Sequence, residues 1–240
     1  MVPLDLDTEK ILKRFEDYIS YNTQSDEEND QVYPSTPGQM VLARHLKEEL
    51  EQLGLQEVSL DENGYVMATL PANGAEGSVV GFISHMDTSP DAPGGPIHSR
   101  VVHDYDGKDI CLNKEKNIVL STKDFPEILK YKGQDIIVTD GTTLLGADDK
   151  AGVTAIVSAM EYLLHHREVK HGKIRIAFTP DEETGRSPLR FDVKKFHADF
   201  AYTIDGGELG VWNMKTSTLP IRKSSFMEEV CTPAMPRGKW

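Results

Sequence analysis

The chain has 240 residues, with 39 acidic against 26 basic side chains and a formal net charge of −13 at pH 7. This acidity argues against nucleic acid or an anionic membrane as a partner, because both repel negative charge. The two cysteines, Cys111 and Cys231, lie far apart and outside any Cys-x-x-Cys pairing, so neither a disulfide framework nor a structural zinc knuckle is expected. No apolar run approaches the roughly 18 residues of a membrane span, and the N-terminus lacks a secretory pattern. We therefore expect a soluble, cytoplasmic protein.

Three helices are predicted from the spacing of apolar residues. The first begins at Asp7, a capping residue, and ends near Tyr21, before a polar loop. The second begins at Pro37, after a serine and a threonine, and ends at Gly54. The third begins after Asp149 and is too apolar for a surface helix, so we expect it to pack against a sheet.

A hairpin and four single strands are expected around these helices. The hairpin joins residues 58–60 to residues 65–70 through the turn-forming pair Asn63-Gly64. The other strands cover residues 79–85, 136–139, 173–178 and 201–205. Strands separated by helices of this length predict a three-layer α/β fold with a largely parallel sheet, which the early hairpin makes mixed.

Acidic side chains and one histidine follow the predicted strands and open the third helix. The side chains concerned are His85, Asp87, Asp148, Asp149, Asp181, Glu182, Glu183 and Asp205. Because functional groups collect at the carboxyl ends of strands in an open α/β sheet, we expect these side chains to converge. Each acid alone is more simply a helix cap or a solvated residue, but four such positions together favour a zinc-type or two-metal hydrolytic site. Of the pair Asp148-Asp149, one carboxylate is expected to face the metal while the other caps the helix.

Five short motifs carry a resemblance to a known family. They are HMDTSPD at 85–91, TDG at 139–141, LLGADDKAG at 144–152, FTPDEE at 178–183 and DGG at 205–207. In type and order they resemble the co-catalytic zinc peptidases, the family that contains aminoacylase, glutamate carboxypeptidase and bacterial tripeptide aminopeptidases. The resemblance covers about residues 8 to 210. It implies an incomplete three-layer zinc-peptidase catalytic domain that removes the N-terminal residue of tripeptides.

The resemblance assigns the metal ligands residue by residue. It makes His85 and Asp205 ligands of one zinc ion, Glu183 a ligand of a second zinc ion, and Asp148 the bridge between the two. The implied cofactor is therefore Zn²⁺, with two ions in an intact site, and the implied partners are tripeptide substrates.

The resemblance also gives Asp87 and Glu182 parts in the reaction. Glu182 would act as the general base, taking the proton of a water that two zinc ions acidify and passing it to the leaving amine. Asp87, two residues after His85 on an extended strand, would point the same way and orient the imidazole. A glycosidase interpretation is weak, because its paired carboxyls flank a sugar ring and need no His-x-Asp partner. Residues 88–96, rich in proline and glycine, are expected to form a loop over this end of the sheet.

The resemblance stops after Gly210. The family continues into a lid domain and returns with a distant histidine as the last ligand of the second zinc, and residues 211–240 contain neither. Read one base earlier, the codons for residues 212–218 allow EYENFN, a motif that the family has here, and those for residues 223–240 allow the opening of its lid. We therefore expect residues 1–210 to be the N-terminal part of the catalytic domain and residues 211–240 to be an out-of-frame tail.

Two other interpretations stay open. The missing ligand and lid favour an inactive fragment that binds at most one zinc ion through His85, Asp148 and Asp205. An acidic metal-binding module without hydrolytic activity fits the net charge but leaves the placement of the ligands at strand ends unexplained. A smaller departure from the family is the sequence at 187–189, Ser-Pro-Leu, where the family usually has glycine. The conformation of that loop is therefore open.

Overall fold

A computed structural model describes residues 6–206 of the chain. The α-helices are α1 (Thr8–Ser20), α2 (Pro37–Leu53), α3 (Ala147–His165) and α4 (Val193–Phe196). The strands are β1 (Gln56–Leu60), β2 (Val66–Leu70), β3 (Val80–His85), β4 (Ser99–Val102), β5 (Ile110–Asn113), β6 (Ile118–Leu120), β7 (Ile136–Thr139), β8 (Ile174–Thr179) and β9 (Phe200–Thr203). Two short 3₁₀ helices span Pro126–Tyr131 and Ser187–Arg190. The predicted out-of-frame tail, residues 211–240, lies outside the described residues.

The main sheet has five strands in the order β1-β2-β8-β3-β9. Strand β3 runs parallel to both β8 and β9, whereas β1 with β2 and β2 with β8 are antiparallel. The predicted hairpin and the predicted mixed α/β architecture are therefore confirmed, with three mutually parallel strands. Pairing of His85 with Thr179 and of Ile83 with Thr203 brings the carboxyl ends of these strands to one edge of the sheet.

The two faces of the sheet are covered very unequally. Helices α1, α2 and α3 pack against one face of the sheet and enclose the large core with it. Strand β2 contributes Val66 and Ala68 to this core. The alternate side chain Met67 points to the opposite face, where it packs with Ala177 and with Phe196 of α4. Both faces of β2 are therefore apolar. The fold has three layers, with α1, α2 and α3 on one side of the sheet and a thin layer containing α4 on the other.

The helix boundaries follow from their capping residues. The Asp7 side chain accepts a hydrogen bond of 3.0 Å from the amide of Lys10 and so starts α1, as predicted. Gly54 has a left-handed φ of 89° and ends α2. None of the helices within residues 6–206 combines the length and the apolar composition needed to span a membrane.

The strand predicted at residues 136–139 forms, but it lies outside the main sheet. It is β7, which pairs with β4 in an antiparallel ribbon next to the β5–β6 ribbon. Tyr105, Ile110 and Val138 bury a small separate core between these elements. The candidate site residues therefore lie at the ends of β3, β8 and β9 of the main sheet and at the start of α3.

Candidate metal centre

Three of the predicted ligands converge at the carboxyl edge of the parallel strands. One ligand atom each from His85, Asp148 and Asp205 lies within 4.8 Å of the other two. His85 Nε2 is 3.1 Å from Asp148 Oδ1 and 3.8 Å from Asp205 Oδ1. The imidazole is 2% exposed, whereas the Asp148 side chain is 63% exposed, so the group opens to solvent on its carboxylate side. Among residues 6–206, it is the one cluster of three or more His, Cys, Asp or Glu side chains whose ligand atoms lie this close together.

A glycine allows the start of α3 to approach the strands closely enough for this geometry. An added Cβ at Gly152 would lie 2.6 Å from the carbonyl oxygen of Ile204 and 2.7 Å from Ser84 Oγ. It would lie closer still to Asp149 Oδ1. Helix α3 therefore begins wedged between the end of β3 and the segment after β9, and this places Asp148 beside His85.

Asp149 turns away from this group and fixes the start of α3. Its Oδ1 accepts a hydrogen bond of 3.2 Å from the amide of Gly152, and its Oδ2 accepts bonds from the Ser84 hydroxyl and, at 3.3 Å, from the His85 amide. The backbone of Asp148 and Asp149 is not helical, so Asp149 caps the regular part of α3, as predicted for one of the two aspartates. Burial raises the pKa of the Asp149 carboxyl to about 8.

Asp87 lies behind the imidazole and joins two strand ends. His85 Nδ1 is 3.1 Å from the Asp87 backbone carbonyl oxygen and 3.4 Å from its carboxylate Oδ1. The nearer partner is the backbone carbonyl, whereas the sequence pattern suggested the carboxylate. The carboxylate accepts hydrogen bonds from the amides of Glu182, at 3.0 Å, and Glu183, at 3.1 Å. Asp87 thus links the end of β3 to the residues after β8.

Glu182 and Glu183 stand at the edge of the group rather than within it. Glu182 Oε2 is 3.8 Å from His85 Nε2. Glu183 supplies no atom to the three-residue group, although its carboxyl is close enough to feel the charges of His85, Asp148 and Asp87. Burial raises the pKa of both glutamates, that of Glu183 to about 7, and repulsion by the neighbouring carboxylates acts in the same direction.

Asp181, the first of the three acids after β8, has a structural position. Its carboxylate is fully buried and accepts hydrogen bonds of 2.8 Å from the Ser35 amide and 2.7 Å from Gln39 Nε2. It therefore binds the start of α2 instead of facing His85. The serine and threonine before Pro37 indicated a helix start, but the sequence held no signal for its distant partner.

The electrostatics of the group favour a bound cation. Burial by itself lowers the pKa of His85, but hydrogen bonds to Asp148 and Asp87 outweigh burial and raise it to about 12. The hydrogen bond from His85 lowers the pKa of Asp148, while burial raises that of Asp205. Several carboxylates thus share a single imidazolium, and a divalent cation can replace that proton and neutralise more of the negative charge.

Sequence comparison relates the chain to known peptidases. Residues 137–220 match the model of peptidase family M20/M25/M40. Peptidase T of Clostridium botulinum is 59% identical over 207 residues, which make up 86% of this chain and 50% of that protein. Peptidase T of Listeria innocua is 54% identical over 232 residues, 96% of this chain and 56% of that protein. The chain thus spans about half the length of the curated relatives it matches, and the resemblance inferred from its motifs is confirmed.

Solved structures share the fold. The aminopeptidase PepT from Bacillus cereus superimposes with a TM-score of 0.59 at 23% identity, covering 85% of this chain and 44% of that chain. A tripeptidase from Staphylococcus aureus gives a TM-score of 0.56 at 24% identity, with the same two coverages, 85% and 44%. At these identities the likeness concerns the fold, and it agrees with the predicted α/β class.

Proposed function

We propose, from the premise that this chain is a relative of peptidase T and of the M20/M25/M40 peptidases, that it carries the metal site of a tripeptide aminopeptidase. The observation that carries the proposal is the convergence of His85, Asp148 and Asp205 at the ends of β3 and β9 and the start of α3. Three unrelated elements meet there with one imidazole and two carboxylates. A cap or a solvated loop would not require that meeting.

The donor set fits zinc. Imidazole nitrogen and carboxylate oxygen are ordinary zinc ligands, and the open carboxylate side leaves room for substrate. We assign His85 and Asp205 to one zinc ion, Glu183 to a second, and Asp148 to both. Zinc bound there would supply Lewis-acid polarisation of the scissile carbonyl and a more acidic water nucleophile.

Glu182 is the general base in this proposal. Its carboxylate lies 3.8 Å from His85 Nε2, and its backbone amide is held by Asp87 at 3.0 Å. Burial raises the pKa of Glu182, which brings its proton affinity nearer to the working pH than that of an exposed glutamate. Glu182 would accept a proton from the attacking water and deliver it to the amine that leaves.

The charge around the site suits a substrate with a free ammonium group. The carboxylates that surround His85 outnumber its single positive charge, so a cationic N-terminus is attracted and a terminal carboxylate is not. The loop of residues 88–96 lies beside the site and is held in place. Gln24 Nε2 donates a hydrogen bond of 2.8 Å to the Ala92 carbonyl, and the Leu144 amide donates one of 3.1 Å to the Pro93 carbonyl. This loop would form one wall around the peptide.

The test combines zinc content with hydrolysis of a tripeptide. Replacing Glu182 with Gln keeps the shape of the side chain and removes its ability to take up a proton. In a protein whose reading frame is restored beyond Gly210, we expect Glu182→Gln to retain bound zinc and to lose turnover, while a chelator abolishes turnover of the frame-restored parent. Glu62→Gln, at an exposed position in the hairpin turn, is the matched control and should behave like the unaltered protein. Turnover that survives Glu182→Gln would contradict the assigned role.

A second candidate is a metal-binding chain without turnover. The observation that favours it is that Glu183 lies outside the three-residue group among the described residues, so one metal position is better formed than the other. This alternative predicts about one bound zinc ion that depends on His85, with no hydrolysis of any tripeptide. Zinc titration and the hydrolysis assay on the same preparation distinguish the two functions.

A further inference from the structure

Two tyrosine hydroxyls hold the loop that carries Glu182 and Glu183. This loop, residues 181–190, follows β8 and is called the glutamate loop below. The Tyr33 hydroxyl donates a hydrogen bond of 2.5 Å to the carbonyl oxygen of Arg186, and the Tyr65 hydroxyl donates one of 2.5 Å to that of Ser187. The two hydroxyl oxygens are also 2.7 Å apart, so the two hydroxyl hydrogens serve three close oxygen–oxygen contacts. Two successive carbonyls of the loop are therefore bound by one pair of side chains.

Arginine side chains from the glutamate loop close around the ring of Tyr33. The guanidinium carbon of Arg186 lies 4.8 Å from the centre of this ring, and that of Arg190 lies 5.0 Å from it. Arg186 also donates hydrogen bonds to the carbonyls of Asn29, at 2.6 Å, and Val32, at 2.7 Å. The segment between α1 and α2 and the glutamate loop thus bind each other through side chains from both.

The other end of the glutamate loop is anchored separately. Asp181 binds Ser35 and Gln39 at the start of α2, and Asp87 receives the amides of Glu182 and Glu183. Within the loop, the Asp181 carbonyl oxygen accepts hydrogen bonds of 2.9 Å from the Arg186 amide and 3.2 Å from the Ser187 amide. The two glutamates consequently lie between an anchor at Asp181 and an anchor at the tyrosines.

We propose that Tyr33 and Tyr65 are positioning residues that fix Glu182 and Glu183 at their places beside His85. The inference rests on the proposed function, since it is the metal and the general base that require these places. The hydroxyls bind the backbone carbonyls of the glutamate loop and each other, so each tyrosine acts on the glutamates through that backbone. One of the two bound carbonyls belongs to Ser187, the first residue of the segment 187–189 in which the sequence departs from the family pattern.

The hydroxyls are suited to this part over the whole working pH range. Burial raises the pKa of both hydroxyls, that of Tyr33 to about 12. Both groups therefore stay protonated and can donate to the two carbonyls. A phenylalanine at either position would keep the ring and leave one carbonyl without its donor.

The first arm of the test is hydrogen exchange of the metal-free protein, measured by mass spectrometry. We expect Tyr33→Phe and Tyr65→Phe each to speed exchange of peptides from the glutamate loop about 10-fold and to leave peptides from α2 unchanged. Tyr105→Phe is the matched control. Tyr105 is buried, and its hydroxyl has no hydrogen-bond partner among the described residues, so its removal should leave the glutamate loop unaffected. Exchange as slow as in the unaltered protein in both phenylalanine variants would overturn the proposal.

The second arm is titration with Co²⁺, whose visible absorption reports the geometry of its ligands. Loss of a supporting residue around a metal site typically weakens metal binding about 10- to 100-fold, and we expect about 10-fold for each phenylalanine variant together with a changed spectrum. Faster exchange with unchanged Co²⁺ affinity and spectrum would overturn positioning, because the tyrosines would then be only structural. His85→Ala separates the two proposals. If this variant binds Co²⁺ as tightly as the unaltered protein, the metal site itself is wrong, and the exchange arm alone then decides whether the tyrosines hold the loop.

Discussion

Replacing Gly152 with alanine tests how the metal group is assembled. The added methyl would lie 2.6 Å from the Ile204 carbonyl oxygen and 2.7 Å from Ser84 Oγ, in addition to meeting the Asp149 carboxylate. These atoms belong to the end of β3, the segment after β9 and the start of α3. None of them is the far end of a long flexible side chain. The methyl must therefore push α3 away from the strands and carry Asp148 with it.

The expected cost can be worked out from three contributions. Overpacking of a well-packed site costs about 1–3 kcal/mol. Displacing the Asp149 carboxylate leaves buried donors at Ser84 and His85 poorly paired, which costs about 1–3 kcal/mol more. Alanine regains about 1 kcal/mol of helix propensity over glycine. We therefore expect Gly152→Ala to lower the free energy of unfolding by about 1–5 kcal/mol, the net of these ranges.

Urea denaturation followed by circular dichroism measures this loss, and zinc titration of the folded fraction measures the effect on the site. Gly172→Ala is the matched control, because an added Cβ there meets nothing nearer than the Ser78 carbonyl at 3.6 Å. We expect the control to keep both its stability and its zinc affinity. A Gly152→Ala protein as stable as the unaltered one, with the same zinc affinity, would refute the account of α3 as wedged between the strands.

Three further predictions concern protons and buried polar groups. Zinc affinity should rise about tenfold per pH unit from about pH 5 to 8. Hydrogen bonding to Asp148 and Asp87 raises the pKa of His85, so its imidazole is protonated in this range and zinc must displace one proton. Calorimetry in buffers of different ionisation enthalpy measures the proton release. Burial lowers the pKa of Lys150 from 10.5 to about 7. Between these two pH values the unfolded chain binds more protons than the folded chain, so this lysine makes the free energy of unfolding rise with pH. Lys150→Met should reduce that rise, which urea midpoints at pH 6 and pH 9 would detect, and an unchanged difference would contradict the burial of a neutral amine. Asp181→Asn should lower the free energy of unfolding in urea by about 1–3 kcal/mol, because one of the buried groups that donate to Asp181, the Ser35 amide or Gln39 Nε2, loses its acceptor. An unchanged free energy of unfolding would contradict the role of Asp181 as an anchor.

The sequence predicted the place of the site because that place depends on local patterns. Each strand carries its own apolar run, and the residue that follows the run is visible without any knowledge of the neighbours. Parallel packing then brings the ends of β3 and β9 together, as it does in other open α/β sheets. His85, Asp148 and Asp205 could therefore be grouped from spacing and type. Their assignment as zinc ligands came from the resemblance and stays a proposal.

Features that depend on contacts between distant segments could not be predicted. Asp181 and Glu182 are adjacent acids, yet one binds the start of α2 and the other faces His85, because the φ of 53° at Asp181 turns the chain. Its partner Ser35 lies 146 residues away, and no local pattern records that contact. The same holds for β7, whose four residues indicate a strand but not the strand with which it pairs.

The proposed out-of-frame tail, residues 211–240, can be tested without the protein. A nucleotide read across the codons from Asp205 to Trp240 should show codons that allow EYENFN and the opening of the lid domain in the frame shifted by one base. Codons that do not allow EYENFN in the shifted frame would contradict the proposal.

The central claim is that His85, Asp148 and Asp205 bind a metal ion. Anomalous diffraction at the zinc absorption edge, from crystals of the full chain grown with zinc, tests this claim most directly. The account predicts a peak within bonding distance, about 2.0–2.2 Å, of His85 Nε2 and of carboxylate oxygens of Asp148 and Asp205. Zinc found only at other positions, or no peak at this edge of the sheet, would contradict it.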